Sequence, residues 1–132
     1  MAYQEGRDDV VLLTIPALSG YFSVLPTAAA AVATRLGYSL EEIEDLRAAV
    51  NTAAHLLFSD ARGESDLDCR MEVSDDQLCI TINGAVTPIE GGYEWNMLSA
   101  LADAVETGPR QVRIRQSLPR TEAEADTQRH HI

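Results

Sequence analysis

Between Leu67 and Asn83 the chain alternates apolar and polar residues twice over, and nothing else in it limits the fold so strongly. Leu67, Cys69, Met71 and Val73 interleave with Asp68, Arg70 and Glu72. After Ser74-Asp75-Asp76-Gln77, the residues Leu78, Ile80 and Ile82 interleave with Cys79, Thr81 and Asn83. A period of two sends successive side chains to opposite faces of a strand, so this is a hairpin with one apolar and one polar face. Pairing about the turn sets Val73 opposite Leu78 and Met71 opposite Ile80. Such a sheet needs cover on one side only. Cys69 then points into the core and Cys79 away from it, across from Glu72. Thiols on opposite faces cannot reach disulfide distance, so both cysteines are expected to be free and structural.

The flanking segments supply the cover. Residues 10–15 are an apolar run of β-formers stopped by Pro16, a first strand. Residues 19–36 are mostly apolar or alanine and end at Gly37, a helix with a glycine stop. Pro26 fits only a first helical turn, so this helix starts near Ser23 or is kinked. Ser39-Leu40-Glu41-Glu42 is a capping box that opens a second helix running to about Phe58. Its apolar stripe is Leu40, Ile43, Leu46, Val50, Ala54 and Leu57. Its acidic start, Glu41, Glu42, Glu44 and Asp45, suits the positive end of a helix dipole. Residues 84–94 are a glycine- and proline-containing loop. Trp95, Leu98, Leu101, Ala102 and Val105 have helical spacing, which predicts a third helix over 94–106, ended by Gly108-Pro109. Val112 and Ile114 alternate with Arg113 and Arg115 in a last strand, whose outward arginines discourage stray strand pairing.

The expected order is strand, helix, helix, strand, strand, helix, strand. Strands with one apolar face call for an α+β two-layer sandwich: a mostly antiparallel sheet with helices on one face. A chain of 132 residues holds one such core. Residues 1–9 read as a flexible arm, 10–118 as the single domain and 119–132 as a polar, disordered tail.

Charge narrows the function. The chain has 21 acidic and 10 basic residues, the latter all arginine, for a net charge of −11. That balance disfavours binding to a phosphate backbone and favours a basic partner. No apolar stretch is long enough for a membrane span and the first residues lack the pattern of a secretory signal, so a cytoplasmic location is the expectation. The three histidines show no metal-ligand spacing.

Two groups of words carry a resemblance. The first is Arg35-Leu36-Gly37-Tyr38-Ser39, followed by Glu42-Ile43-Glu44-Asp45-Leu46-Arg47-Ala48-Ala49-Val50. The second is Tyr93-Glu94-Trp95 with Leu98-Ser99-Ala100-Leu101-Ala102-Asp103. In this order, over residues 10–116, the chain resembles the anti-sigma factor and serine-protein kinase branch of the GHKL ATPase superfamily. It looks like the divergent actinobacterial type with a degenerate ATP site. The resemblance implies a GHKL-like (Bergerat-like) fold and a regulator of bacterial transcription. Such a protein sequesters a sigma factor and is released by a STAS-type anti-anti-sigma partner. Family members often form homodimers, so a second copy is among the implied partners; direct nucleic-acid binding is not.

The chemistry of the family needs a glutamate base and, four residues on, an asparagine that holds Mg²⁺ against ATP. The matching positions here are Thr52 and Leu56. Threonine is no base at neutral pH, and leucine cannot ligate a hard cation. The adenine-binding Asp-x-Gly-x-Gly box is replaced by Asn83-Gly84-Ala85, and the glycine-rich lid is missing. No catalytic residue, metal or cofactor is therefore expected, although ATP with Mg²⁺ is what the family would bind. Asn51, His55, Asn83 and Gly84 are candidates for a remnant pocket. Asn51, His55 and Ser59 recur every four residues, and a polar, partly solvated helix flank is the plainer reading of them. Tyr21, Phe22, Val24, Leu25 and Trp95 are the candidate partner-binding residues, with core packing the alternative for Trp95. The other readings are an active serine-protein kinase acting on an anti-anti-sigma factor and a module sensing another small ligand.

Overall fold

The last strand settles the architecture, because it pairs with the hairpin's second arm and carries a further strand beyond it. A computed structural model describes residues 10–58 and 66–119. In chain order these form β1 (Val10–Pro16), a 3₁₀ turn (Ser19–Tyr21), α1 (Val24–Leu36) and α2 (Leu40–Leu56). Then come β2 (Asp66–Ser74), β3 (Gln77–Asn83), α3 (Tyr93–Leu101), β4 (Ala104–Gly108) and β5 (Gln111–Ser117). The sheet order is β1-β2-β3-β5-β4, with every neighbouring pair antiparallel. The protein is an open α+β two-layer fold. The arm expected at residues 1–9 lies outside the described residues, as does the expected tail beyond Pro119.

The hairpin has the expected register, with Val73 opposite Leu78, Met71 opposite Ile80 and Cys79 opposite Glu72. Its two-residue turn places Asp75 and Asp76 at φ 54° and 60°. Both are left-handed, as the tightest hairpin turn requires, and aspartate tolerates that region. Leu67, Cys69, Met71, Leu78, Ile80 and Ile82 face one hydrophobic cluster with Ile15, Val112 and Ile114. Leu25, Ala29 and Ala33 of α1, Leu46, Val50 and Ala53 of α2, and Leu98 of α3 cover it. Cys79 is also buried but belongs to the opposite face, outside that cluster. Both thiols are free.

The α1–α2 junction is built from the first group of words. Gly37 takes φ 89° and donates to the Thr34 carbonyl, while Tyr38 N–H donates to the Ala33 carbonyl. This pair of bonds is a Schellman stop, which favours glycine at its left-handed position. Two residues on, Ser39 Oγ accepts from Glu42 N–H at 3.2 Å and the Glu42 carboxylate accepts from Ser39 N–H at 2.8 Å. The capping box is formed as its sequence implies.

The first helix starts at Val24, next to Ser23 as the first of its two alternatives expects, which makes Pro26 its third residue, where no intrahelical donor is lost. Two other readings differ from expectation. Leu40 does not join the apolar stripe of α2 but is 76% exposed, because it opens the helix beyond the sheet-facing surface; Ala49 and Ala53 complete the buried face. The third helix stops at Leu101, and residues expected to continue it form β4 instead. Val105 pairs with Ile114 and Glu106 with Arg113 across a turn at Pro109 and Arg110, the latter at φ 55°. Five residues of ladder outweigh the helical spacing, and Gly108 ends a strand rather than a helix.

Candidate functional site

The second half of α2 ends against two irregular segments, the turn before α1 and the loop between β3 and α3. The end of α2, that loop and the start of α3 enclose a cavity of about 520 Å³. Its walls are His55, Leu56 and Phe58 from α2 and its end, Val86, Thr87 and Ile89 from the loop, and Gly92, Glu94 and Trp95 at the start of α3. The loop is pinned from below. Ala85 N–H donates to the Leu57 carbonyl at 3.0 Å and Gly84 N–H to the Arg110 carbonyl at 2.9 Å.

An aromatic group backs this cavity. The buried Phe22 ring meets His55 edge-on at 5.1 Å and Phe58 edge-on at 5.0 Å. Such edge-to-face geometry places a positive ring edge on a neighbouring π-face. His55 Nδ1 donates to the Asn51 carbonyl at 2.8 Å, since a carbonyl oxygen can only accept. The proton of this bond is therefore on Nδ1. Sequence reasoning missed the grouping of Phe22, His55 and Phe58. The only signal was the three-residue spacing of His55 and Phe58 on one helix face.

The candidate remnant pocket is not brought together. His55 lines the cavity, but the exposed Asn51 lies in a separate groove of about 310 Å³ between α1 and α2, with Ser23, Pro26, Glu44, Arg47 and Ala48. Asn83 lies on the uncovered face of the sheet, where its Oδ1 accepts from Gln111 Nε2 at 3.0 Å. Gly84 is a packing position: a Cβ there would sit 2.5 Å from Leu57 Cβ and 2.8 Å from the Leu57 carbonyl oxygen. Ser59 lies outside the described residues.

The partner candidates divide as well. Tyr21 is 48% exposed and Val24 40%, whereas Phe22 and Leu25 are buried in the core. Trp95 is half-buried, with one side on the core cluster and one on the cavity. Exposed Ile89 and Tyr93 extend the apolar surface beside it.

The donors do not fit a nucleotide with Mg²⁺. Thr52 is buried and its hydroxyl donates to the Ala48 carbonyl at 2.9 Å, while Leu56 is an apolar wall of the cavity. The cavity lining holds no Lys or Arg to balance phosphates and does hold the Glu94 carboxylate. Among the described residues, no group of three or more His, Cys, Asp or Glu side chains could hold a metal ion. No described helix is long and apolar enough to cross a membrane. Compared with known proteins, the chain matches no family model and no curated protein.

Proposed function

We propose that this protein is an anti-sigma-type regulator that binds a basic protein partner and holds it away from transcription. The observation that carries the reading is the apolar cavity, with Trp95 and Ile89 in its wall and Glu94 as its carboxylate. Aromatic side chains around a desolvating pocket are the usual anchors of a protein interface. An acid beside them selects an apolar anchor flanked by basic residues. Tyr21 and Val24 extend the surface from the turn whose Phe22 backs the cavity. A net charge of −11 steers a basic, DNA-contacting sigma domain towards it. Release belongs to a STAS-type partner competing for the same surface.

Co-purification of the tagged chain with the sigma factors of its own cell tests this. A stable complex disrupted by Trp95→Ala is the expected result. Failure to retain any sigma factor would overturn the reading. Labelled ATP and Mg²⁺ with STAS substrates test the kinase alternative, and durable phosphotransfer would replace the binding reading with it.

A further inference from the structure

The two faces of the sheet differ in charge. Leu12, Arg70, Thr81, Arg113 and Glu106 stand in register across the open face, one from each strand. In the next row Glu72, Cys79 and Arg115 do the same. Arg70 is paired with Glu72 at 2.7 Å. Arg113 and Arg115 instead share one carboxylate, that of Glu106, at 3.9 Å and 3.2 Å. Two guanidiniums on one acid leave a positive surplus on this face, in a chain whose net charge is −11. Neither is fully covered, Arg113 being 38% exposed and Arg115 29%. The helix side is the reverse, because α2 opens with Glu41, Glu42, Glu44 and Asp45. Beyond Pro119 the sequence runs Thr121-Glu122-Ala123-Glu124-Ala125-Asp126-Thr127-Gln128, three acids at a period of two and no base. This segment starts from a fixed point. Leu118 N–H donates to the Asp76 carbonyl at 3.1 Å, its side chain packs on the core, and Pro119 lies beside Gly37. On the helix side of that point stand Tyr38 and the Glu42 carboxylate near it. On the open side Arg115 is two residues back from Ser117.

We propose that residues 122–126 fold back over the open face of the sheet and lay Glu122, Glu124 and Asp126 along Arg115 and Arg113. Alternate residues of an extended segment share one side at a spacing of about 7 Å, which is also the spacing of Arg113 and Arg115 along β5. The reach suffices. Arg115 is four residues before Pro119 and Glu124 five residues after it, so a reversal after Pro119 sets them side by side. Charge decides which face is taken, since the carboxylates that open α2 repel an acidic segment and the arginines attract it. Each exposed pair is weak alone, but a short tether raises the effective concentration of the acids to about the millimolar range. Residues 1–9 are a poorer occupant. They join the sheet at β1, three strands from β5, and Glu5, Asp8 and Asp9 lack the period of two. The proposal stands apart from the sigma-binding reading, because the open face contributes nothing to the cavity.

A nitroxide attached through Thr127→Cys in the full chain tests it, with Cys79→Ser so that the buried Cys69 is the only other thiol. At about 0.05 M salt the amide resonances of Thr81, Arg113 and Arg115 should broaden while those of α1 and α2 stay sharp. Raising the salt to about 1 M should cut that broadening at least about threefold, because it screens exposed charges. The triple change Glu122→Gln, Glu124→Gln and Asp126→Asn should do the same at low salt. Those three positions lie outside residues 10–119, and unshifted core resonances show that the sheet stays folded. Absence of broadening at low salt overturns the proposal. So does broadening centred on α1 or α2, or broadening indifferent to salt and to the triple change. Broadening passed from a nitroxide-bearing chain to a separate isotope-labelled chain also overturns it, since the contact is then between molecules.

Discussion

The Tyr38 hydroxyl donates to the Ser117 carbonyl at 2.9 Å, tying the α1–α2 junction to the end of β5. A weaker approach to the Gln116 carbonyl, at 3.3 Å, accompanies it. Burial of the ring, then the nearby Glu42 and Asp103 carboxylates, push the phenol up to about 12 from its ordinary 10.0. Tyr38→Phe removes the bond while keeping the ring, so it should cost about 1 kcal/mol in denaturant unfolding.

The same tyrosine sets an alkaline limit. Its folded pKa lies above its unfolded value, so above pH 10 the unfolded chain binds fewer protons than the folded one. Its contribution is complete below pH 10 and is lost as pH rises towards 12. Ultraviolet titration should show one phenol with a midpoint near 12 that disappears in Tyr38→Phe. The stability of that variant should fall less steeply across this window.

Gly84→Ala should destabilise the fold. The added Cβ meets Leu57 Cβ at 2.5 Å, the Leu57 carbonyl oxygen at 2.8 Å and Leu67 Cδ2 at 2.9 Å. Two of these belong to the end of α2, which is held by its own backbone bonds and cannot give way cheaply. Overpacking of this kind costs about 1–3 kcal/mol, read as a lower midpoint in thermal or urea unfolding. A merely loop-lining glycine would tolerate the change.

Much of the fold was legible because local signals and tertiary packing agree. The β2–β3 register followed from alternation and a two-residue turn, and the α2 start from Ser39 and Glu42. The word Arg35-Leu36-Gly37-Tyr38-Ser39 has a folding task at nearly every position: a cation at a helix C-terminus, a left-handed stop, a phenol anchor and a cap. β4 was not legible. Val105 continues the spacing of Leu98 and Leu101, and only its pairing with Ile114 decides otherwise. The site was less legible than the fold. Phe22 and Leu25 read as surface because an apolar run before a helix does not say which members turn inward. Asn83 and Gly84 are adjacent in sequence, yet one lies on the open sheet face and the other is wedged under α2.

Cys69 should be inert in the folded protein. Burial pushes its thiol up to about 12, and the thiolate is the species that reacts. In a Cys79→Ser background, alkylation at neutral pH should proceed only as fast as the chain opens. It should accelerate through the urea unfolding transition. Rapid labelling under native conditions would show that β2 is open to solvent on its core face.

Trp95 and Phe22 should separate binding from folding. Phe22 is 3% exposed and touches two aromatic rings, so Phe22→Ala opens a cavity in the core and should cost about 3–5 kcal/mol. Trp95 keeps one side on the cavity, so truncating it removes less core and more of the surface proposed to bind a partner. Trp95→Ala should leave a cooperative unfolding transition while weakening sigma-factor capture by about 2 kcal/mol or more, the scale of an interface anchor. Glu94→Gln should weaken capture as well, and its effect should shrink as salt rises, because a charge at a partly exposed rim is screened. The sole tryptophan of the chain also reports directly. Its emission should shift to shorter wavelength when the partner covers the cavity. A partner that binds without moving that emission and without loss in Trp95→Ala would place the interface elsewhere on the molecule.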